Sequence, residues 1–205
     1  MTPLRRLFDV ICSLAVLVIG LPCFVVIALC IKCSSKGPVF YGSVRMGYLK
    51  RPFICWKFRS MYLDAERMLA KILDESPALQ IEWEKRYKLS KDERVTKLGA
   101  WLRKTALDEL PQFWNVLKGE MSIIGPRPVS LEEAKLFQQM SGDTVFRVRP
   151  GITGLWQVSR TKTMTYEERI CMEMHYVNTH SWKGDMHILL NTIPLVFFPK
   201  RGCSS

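Results

Sequence analysis

Residues 10–31 read VICSLAVLVIGLPCFVVIALCI, an apolar run without a charged side chain. At about 1.5 Å of rise per residue, a helix of this length is long enough to cross a bilayer core of roughly 30 Å. The run exceeds the apolar part of a secretory signal peptide, and no small-residue cleavage site follows it. The stretch therefore predicts a segment that enters a membrane.

Two features of this run favour a bend over a straight span. Gly20 and Pro22 lie at its middle, and a proline removes a backbone donor and clashes with the preceding helical turn. Basic residues flank both ends, with Arg5 before the run and Lys32 after it, and positive charge favours the cytoplasmic side. A helix that dips in, bends at Pro22 and returns satisfies both features; an ordinary kinked transmembrane helix stays open as the alternative.

The composition restricts the partners of the chain. Lys and Arg outnumber Asp and Glu by 30 to 19 in 205 residues, a formal charge of +11, which favours anionic partners such as phosphorylated substrates or a membrane surface. Aromatic residues interleaved with basic ones on a sheet, as nucleic-acid binding requires, are not found. The seven cysteines have no disulfide-framework spacing, so we expect reduced thiols.

Beyond the apolar run, the pattern predicts a mixture of strands and helices. Two β-prone runs, Val39–Tyr41 and Phe53–Phe58, predict a hairpin. Apolar residues at helical spacing then predict a helix over residues 61–73 that Pro77 ends. Residues 80–97 are charged, and are typical of a solvated or membrane-facing helix and loop.

The last third of the chain is predicted to be mainly helical. Ser130 and Glu133 form a capping box, which predicts the start of a helix there. The pattern is helical again beyond Tyr166, and it ends in an apolar stretch, Ile188–Phe198, which Pro194 interrupts. This tail is compatible with a place in the core or on a bilayer surface.

An acidic pair lies within WLRKTALDELPQFWNVLKGEMSIIGPRP (101–128). Pro111 is tolerated only in the first turn of a helix and Gly119 suits its C-terminal end, so the helix is predicted to begin near Asp108 and Glu109. Asp108 is then an N-cap and Glu109 a favourable first-turn charge, an interpretation that involves no chemistry. One apolar face of this helix would consist of Leu110, Phe113, Trp114 and Leu117.

Cations around the pair indicate an alternative, a phosphate site. Arg103 and Arg127 flank it, and Arg149 lies in a second tight segment, RPGITG (149–154). Arginines held by prolines and glycines suit bidentate phosphate recognition. Adjacent carboxylates among cations suit one as nucleophile or metal ligand and the other as its partner, with Mg²⁺ as the usual ion bridging to phosphate. Taken singly, each arginine is equally compatible with an ordinary surface charge.

With these residues in view, the sequence resembles the bacterial sugar transferases, the monotopic polyprenyl-phosphate phosphoglycosyl transferases. The resemblance runs essentially end to end. Its markers are RRLFD (5–9), the proline-broken membrane segment, GPVFY (37–41), KFRSM (57–61), LRKTALDELPQFWNVLKGEMSIIGPRP (102–128) and RPGITGLWQV (149–158).

The resemblance implies an α+β, helix-rich fold in two parts. Residues 1–36 would form a re-entrant, proline-broken membrane helix with its bend at Gly20 and Pro22. Residues 37–205 would form a small cytoplasmic α/β catalytic domain with interfacial amphipathic helices. The protein would sit among the lipids of the bacterial inner (cytoplasmic) membrane, with the catalytic domain on the cytoplasmic face. A homodimer is left open.

The implied activity is that of a phosphoglycosyl transferase. A hexose-1-phosphate would pass from a UDP-sugar to undecaprenyl phosphate, with release of UMP, in the first membrane step of surface glycan synthesis. Asp108 would attack the β-phosphate and form a phosphosugar-aspartyl intermediate. Glu109 would be the second acid, associated with Mg²⁺, although which of the two acids ligates the ion is open.

The resemblance also assigns four further site residues. Lys57, Arg103 and Arg127 match basic positions that would hold phosphate oxygens. Asp185, in KGDMHILL (183–190), matches an acidic position late in the family pattern.

The chain departs from the family pattern in two places. Leu21 precedes the breaking proline where relatives often have serine, and Ser159 is followed by Arg160 and Thr161 without the usual glycine. The segment between Met61 and Val95 resembles that of hexose-transferring relatives, which favours UDP-galactose or UDP-glucose. A catalytically silent, membrane-bound assembly factor is the alternative from a different functional class.

Overall fold

The computed structural model describes residues 2–86, 89–159 and 164–197, apart from the side chains of residues 84–86, 196 and 197. It is a helix-rich α+β fold with two small two-stranded sheets, as expected. The α-helices within the described ranges are α1 (Pro3–Ile19), α2 (Leu21–Ser34), α3 (Ala65–Glu75), α4 (Pro77–Arg86), α5 (Lys97–Lys104), α6 (Gln112–Lys118), α7 (Leu131–Ser141), α8 (Leu155–Ser159), α9 (Tyr166–Thr179) and α10 (Trp182–Phe197). The strands are β1 (Phe40–Met46), β2 (Pro52–Phe58), β3 (Ser122–Ile124) and β4 (Gly151–Thr153).

The apolar N-terminal run is bent, as its sequence predicts. The axes of α1 and α2 differ by 59° across Gly20. Pro22 lies in the first turn of α2, where its missing N–H has no helical partner to lose. A Cβ at Gly20 would lie 2.4 Å from the carbonyl oxygen of Val16, so only glycine permits this close approach. In the described residues no single helix is long and apolar enough to cross a bilayer; α1 and α2 meet that requirement only together, as a bent pair.

The N-terminal half of α1 is tied to the rest of the protein by polar contacts. Arg5 forms an ion pair with Asp185. Arg6 donates to the carbonyl oxygens of Val116 and Leu117 at 2.6 and 2.8 Å. Asp9 accepts hydrogen bonds from the Ser122 hydroxyl (2.8 Å) and the Ile123 N–H (3.0 Å), at the beginning of β3.

The returning helix α2 packs on the same globular body. Ile27 and Ile31 are buried against Phe58 of β2 and Leu102 of α5. Apolar side chains around the bend are exposed instead: Leu14, Val18, Ile19, Leu21, Val25, Val26 and Leu29. Both arms of the bent pair therefore contact one body, and the apolar side chains around the bend are exposed.

The predicted hairpin is present, with a first strand longer than expected. Strands β1 and β2 pair antiparallel, with Tyr41 opposite Lys57 and Ser43 opposite Cys55. Since side chains alternate along a strand, Lys57 projects to the opposite face from Trp56 and Phe58. The free edge of β2 is covered by Asn115 of α6, whose amide bonds the backbone of Ile54 and Trp56.

A parallel strand pair forms the second sheet and lies in the main core. Ser122 of β3 pairs with Gly151 of β4, and Ile124 pairs with Thr153. Between these strands runs α7, which begins with the predicted capping box of Ser130 and Glu133. The core cluster beside this sheet includes Phe53, Cys55, Val116, Met121, Ile123, Tyr176, Val177 and Ile188.

Three expectations for individual helices need correction or refinement. The helix predicted over residues 61–73 begins at Ala65, and Pro77 starts α4 as well as ending α3. The helix predicted at Asp108–Glu109 begins only at Gln112, and its buried side chains are Gln112, Asn115 and Val116 rather than the predicted apolar face. That face is divided: Phe113 contacts the core, whereas Trp114 is exposed.

The apolar tail is divided in the same way. Ile188 of α10 is buried, whereas Leu190 and Ile193 are exposed. Phe198 lies outside the described residues.

Candidate active site

The acidic pair lies in a tight connection between α5 and α6. Ala106 adopts a left-handed conformation (φ 55°), and a 3-10 turn over Leu107–Glu109 follows. Leu107 and Leu110 pack against the core cluster of α2, β2 and α5. These apolar anchors pull the intervening carboxylates inward, so that Asp108 and Glu109 are only 3% and 9% exposed.

Asp108 is not the N-cap of a helix. Its side chain makes no capping hydrogen bond, and Pro111, not Asp108, precedes the first residue of α6. The interpretation of Asp108 as an N-cap is therefore wrong. The physical reason is that the left-handed Ala106 turns the chain into a 3-10 segment before the α-helix begins.

Glu109 is held by two cations. Lys57 Nζ lies 2.7 Å from its Oε1, and Arg127 Nη2 lies 3.4 Å from the same oxygen. Burial raises the pKa of Glu109, but the charges of Lys57 and Arg127 and their hydrogen bonds outweigh it and hold the pKa at about 2. Glu109 is therefore ionised throughout the neutral range.

Asp108 has a different environment from its neighbour. Its Oδ2 is 3.9 Å from Lys57 Nζ, and its Oδ1 is buried without a hydrogen-bond partner. Burial raises the pKa of Asp108, with the charge of Glu109 adding to it and the charges of Lys57, Arg103 and Arg127 opposing it. A buried acceptor without a partner costs free energy and is uncommon in folded proteins. Asp108 Oδ1 is thus an acceptor to which the described residues donate no hydrogen bond.

Arg103 is the third cation of the cluster. It lies in the last turn of α5, and its Nε donates to the Ser60 hydroxyl at 2.8 Å, immediately after β2. Burial lowers the pKa of Arg103, whereas the charges of Asp108 and Asp92 raise it. With Lys57 and Arg127, the cluster holds three cations against two carboxylates. Such an excess of positive charge attracts and binds phosphates.

The structure does not bring Arg149 or Asp185 into this cluster. Arg149 Nε donates to the carbonyl oxygen of Gly119 at 2.6 Å, at the far end of α6. Asp185 of α10 is buried beside the N-terminal end of α1, where its carboxylate accepts hydrogen bonds from Arg5 and from the Tyr176 hydroxyl. Both residues contact other elements in the structure, and their role in phosphate binding stays a prediction.

The fit of a divalent cation can be judged from the donor atoms. Among the described residues, no three His, Cys, Asp or Glu side chains lie together as a ligand set. Mg²⁺ commonly takes one or two carboxylates and completes its octahedron with water and substrate phosphates. The unpartnered Oδ1 of Asp108 beside Glu109 fits that mode of binding, whereas an all-protein metal site does not fit.

The described residues form an apolar groove of about 370 Å³. It lies between the two arms of the bent pair, the hairpin and the start of α6, and is lined by Leu17, Phe24, Phe40, Trp56, Pro111 and Trp114. Trp56 immediately precedes Lys57 along β2, and Pro111 is two residues beyond Glu109. Because side chains alternate along β2, the groove lies on the opposite face of the hairpin from Lys57.

One carboxylate near the site escaped the sequence analysis. Glu173 of α9 is completely buried, and its Oε1 accepts the N–H of Arg127 at 3.1 Å. The available signal was its position: Glu173 follows Ile170 and precedes Val177 at helical spacing, on the buried face of α9. The departure at Arg160 and Thr161 lies outside the described residues.

The chain is similar to known proteins over nearly all of its length. The sequence model of the bacterial sugar transferases matches residues 1–199. The exopolysaccharide production protein ExoY of Sinorhizobium fredii is 41% identical over 192 residues, which cover 94% of this chain and 84% of the relative.

Two further relatives carry more specific names. The undecaprenyl-phosphate galactose phosphotransferase of Salmonella typhimurium is 40% identical over 194 residues, or 94% of this chain. The UDP-glucose:undecaprenyl-phosphate glucose-1-phosphate transferase of Klebsiella pneumoniae is 37% identical over 196 residues, or 92% of this chain. The chain spans only 40% and 39% of the lengths of these two relatives.

Proposed function

The chain belongs to the bacterial sugar transferase family, and from that premise we propose that it transfers a hexose-1-phosphate from a UDP-sugar to undecaprenyl phosphate. The products are UMP and undecaprenyl-diphosphate sugar. The observation that carries the proposal is the unpartnered, buried Oδ1 of Asp108 beside three cations. Such an arrangement suits a carboxylate nucleophile and an anionic phosphate better than it suits folding alone.

In the first step, a carboxylate oxygen of Asp108 attacks the β-phosphorus of the UDP-sugar. A phosphorus–oxygen bond forms to Asp108, the bond between the β-phosphorus and the oxygen bridging to the α-phosphate breaks, and UMP leaves with that oxygen. Lys57, Arg103 and Arg127 neutralise the phosphate charge that would repel the carboxylate. The same cations favour the ionised form of Asp108, which only then is a nucleophile.

In the second step, a phosphate oxygen of undecaprenyl phosphate attacks the phosphorus held by Asp108. The bond to Asp108 breaks, the carboxylate is regenerated, and a diphosphate linkage forms. Lys57 lies within reach of both carboxylates, so its charge stabilises the carboxylate in the attacking and in the leaving role. The ionised Glu109 forms ion pairs with Lys57 and Arg127. These ion pairs orient the two cations.

Mg²⁺ fits this proposal as a cofactor. Asp108 Oδ1 and Glu109 are the oxygens that would hold it, and the bound ion supplies further neutralisation of phosphate charge. Removal of divalent cations with a chelator is expected to abolish UMP release, and added Mg²⁺ to restore it.

The apolar groove supports a lipid acceptor. A polyprenyl chain is an uncharged hydrocarbon, and a groove lined by aliphatic and aromatic side chains next to the bent pair provides a matching surface. The side chain of Trp114 is 54% exposed, and it is not among the side chains that pack against the main core. Trp114→Ala is expected to raise the KM for undecaprenyl phosphate more than the KM for the UDP-sugar; the opposite pattern would contradict the placement of the lipid.

We also propose that the bent pair is re-entrant and that the catalytic body faces the cytoplasm. The support is that both arms contact the same globular body: α1 through Asp9 and Arg6, and α2 through Ile27 and Ile31. A straight span would carry these contacts to opposite sides of the membrane.

The decisive experiment measures UMP release. Purified protein in lipid nanodiscs is incubated with undecaprenyl phosphate, Mg²⁺ and a series of UDP-sugars that includes UDP-galactose and UDP-glucose. We expect release with at least one hexose, and Asp108→Asn is expected to abolish it. Absence of release with every UDP-sugar would favour a silent assembly factor, and a trapped phosphosugar on any residue other than Asp108 would refute the assigned nucleophile.

A further inference from the structure

The segment that carries Arg127 to the acidic pair contains a single backbone donor after Gly125. It reads GPRP (125–128), and neither Pro126 nor Pro128 has an N–H. A buried backbone donor needs an acceptor. Arg127 finds it in Glu173 Oε1 at 3.1 Å, although the two residues lie on different elements.

Two other polar backbone groups of this segment bond the second sheet. Gly125 donates to the carbonyl oxygen of Thr153 at 2.9 Å, and the carbonyl oxygen of Pro126 accepts from Gly151 at 2.7 Å. These bonds fix the segment up to Pro126 but leave the peptide of Arg127 to the side chain of Glu173. The bond to Glu173 therefore helps to orient the Arg127 peptide, between Pro126 and Val129, whose carbonyl oxygen accepts the N–H of Met46 at 2.9 Å.

Burial of Glu173 costs more free energy than a purely structural hydrogen-bond acceptor requires. It is completely buried, and its Oε2 has no hydrogen-bond partner. The charged groups that face it are Arg127 and, one helical turn earlier on α9, Arg169, which is itself paired with Glu133 of α7. Burial outweighs these charges and raises the pKa of Glu173 to about 7. A neutral acceptor would meet the needs of folding at lower cost.

Arg127 links this buried carboxylate to the acidic pair. Its backbone N–H bonds Glu173, and its guanidinium Nη2 lies 3.4 Å from Glu109 Oε1. We infer that Glu173 is a positioning residue: it fixes the Arg127 peptide and so holds the guanidinium against Glu109 and over the phosphate that Asp108 attacks. The catalytic part of this inference rests on the proposed function.

Hydrogen exchange tests the positioning without reference to activity. Arg127 is the only residue of 126–128 with an exchangeable backbone amide, so a peptide spanning this segment reports on it directly. In the full-length protein in nanodiscs, Glu173→Ala is expected to accelerate exchange at Arg127 about tenfold, the loss of one such hydrogen bond. Glu173→Gln retains an acceptor oxygen and is expected to preserve slow exchange. Unchanged exchange in Glu173→Ala would overturn the inference.

A double-mutant cycle tests whether Glu173 acts through Arg127. Glu173→Ala is expected to lower UMP release per folded molecule at least tenfold, about 1.4 kcal/mol, and Glu173→Gln to restore most of it. In the Arg127→Ala background, Glu173→Ala is expected to cause no further loss. Additive losses would overturn the inference. If the wild-type protein releases no UMP, the proposed function fails, and the exchange experiment still decides whether Glu173 holds the segment.

Val177→Ala is the matched control. Val177 is buried one turn further along α9, in the apolar core, and has no polar contact with the GPRP segment. The variant is expected to lower the melting temperature while exchange at Arg127 and UMP release per folded molecule stay unchanged. Equal acceleration of exchange in Val177→Ala would mean general loosening of α9, which would also overturn the inference.

Discussion

Lys57 is the cation that contacts both members of the acidic pair, at 3.9 Å from Asp108 and 2.7 Å from Glu109. Its position depends on the hairpin, because alternation along β2 turns Lys57 to the opposite face from Phe58, which is buried against the bent pair. The position of Lys57 at the site thus depends on the register of β2, at whose end the sequence reads KFRSM (57–61).

Lys57→Met removes this charge while keeping the length of the side chain. We expect UMP release to fall about 10²-fold, because loss of one preorganised group that stabilises the transition state commonly has that effect. Initial rates in nanodiscs measure it. Lys71→Met, at an exposed lysine paired only with Glu75, is the matched control and is expected to retain wild-type rates. Equal losses in both variants would contradict the role of Lys57.

Glu173 predicts a pH dependence of stability. Its pKa is raised from 4.5 to about 7 in the folded protein, so the unfolded state releases its proton first. The stability that neutral Glu173 contributes is complete below pH 4.5 and is lost as the pH rises towards 7. At about 1.4 kcal/mol per pKa unit, the loss is on the order of 3 kcal/mol.

Glu173→Gln lacks this ionisation. Its melting temperature is therefore expected to exceed that of the wild-type protein at pH 8 and to approach it near pH 4.5. Thermal denaturation at pH 4.5, 6, 7 and 8 measures the difference. A difference that is independent of pH would contradict a buried, titrating Glu173.

At the scale of elements, the two ends of the short helix α6 lie beside different groups. Its N-terminal end follows the acidic pair, and its C-terminal carbonyl groups accept hydrogen bonds from Arg6 and Arg149. Cations at the C-terminus of a helix compensate its unpaired carbonyl groups and its dipole. We therefore expect Arg149 to stabilise the helix that follows the acidic pair, while its role in phosphate binding stays a prediction.

Arg149→Ala separates these two roles. We expect the free energy of unfolding to fall by about 1–2 kcal/mol, while UMP release per folded molecule stays at the wild-type level. Arg103→Ala is expected to show the converse, with release reduced about 10²-fold. Denaturation and initial rates on the same preparations measure both. A selective loss of activity in Arg149→Ala would restore its predicted role in phosphate binding.

At the scale of the whole molecule, the apolar exposed bend and the buried anchors of both arms define the expected mode of membrane attachment. The side chains around Gly20 are apolar and exposed, whereas the distal ends of α1 and α2 contact the catalytic body. The division into a membrane segment (1–36) and a catalytic domain (37–205) stays a prediction.

Thiol labelling tests this topology. Single cysteines at Thr2 and Lys36, both exposed, are introduced into a cysteine-free variant. An impermeant reagent is expected to label both positions in inverted vesicles and neither in intact spheroplasts. Leu21→Cys, at the bend, is the control and is expected to resist labelling in both, because lipid surrounds it. Labelling of Thr2 and Lys36 from opposite sides would refute the re-entrant arrangement.

Local signals in the sequence were sufficient for the bend at Gly20, the hairpin and the capping box of α7. Each depends on contacts between near neighbours in the chain: a missing proline N–H, strand alternation, or a hydroxyl that reaches the third residue ahead. The same local reasoning failed at Asp108. A left-handed Ala106, which no pattern of residue types predicts, turned the expected N-cap into a buried carboxylate.

By itself, the sequence determined the family, the broken apolar segment and the identity of the acidic pair with its flanking cations, since these are properties of residue type and spacing. Only the tertiary structure decided which cations reach the pair. Lys57 lies 52 positions from Glu109, Arg149 and Asp185 are drawn to other partners, and Glu173 approaches Arg127 from another helix. The physical reason is that charge–charge contacts depend on distance in space, which packing of the core sets and spacing along the chain does not.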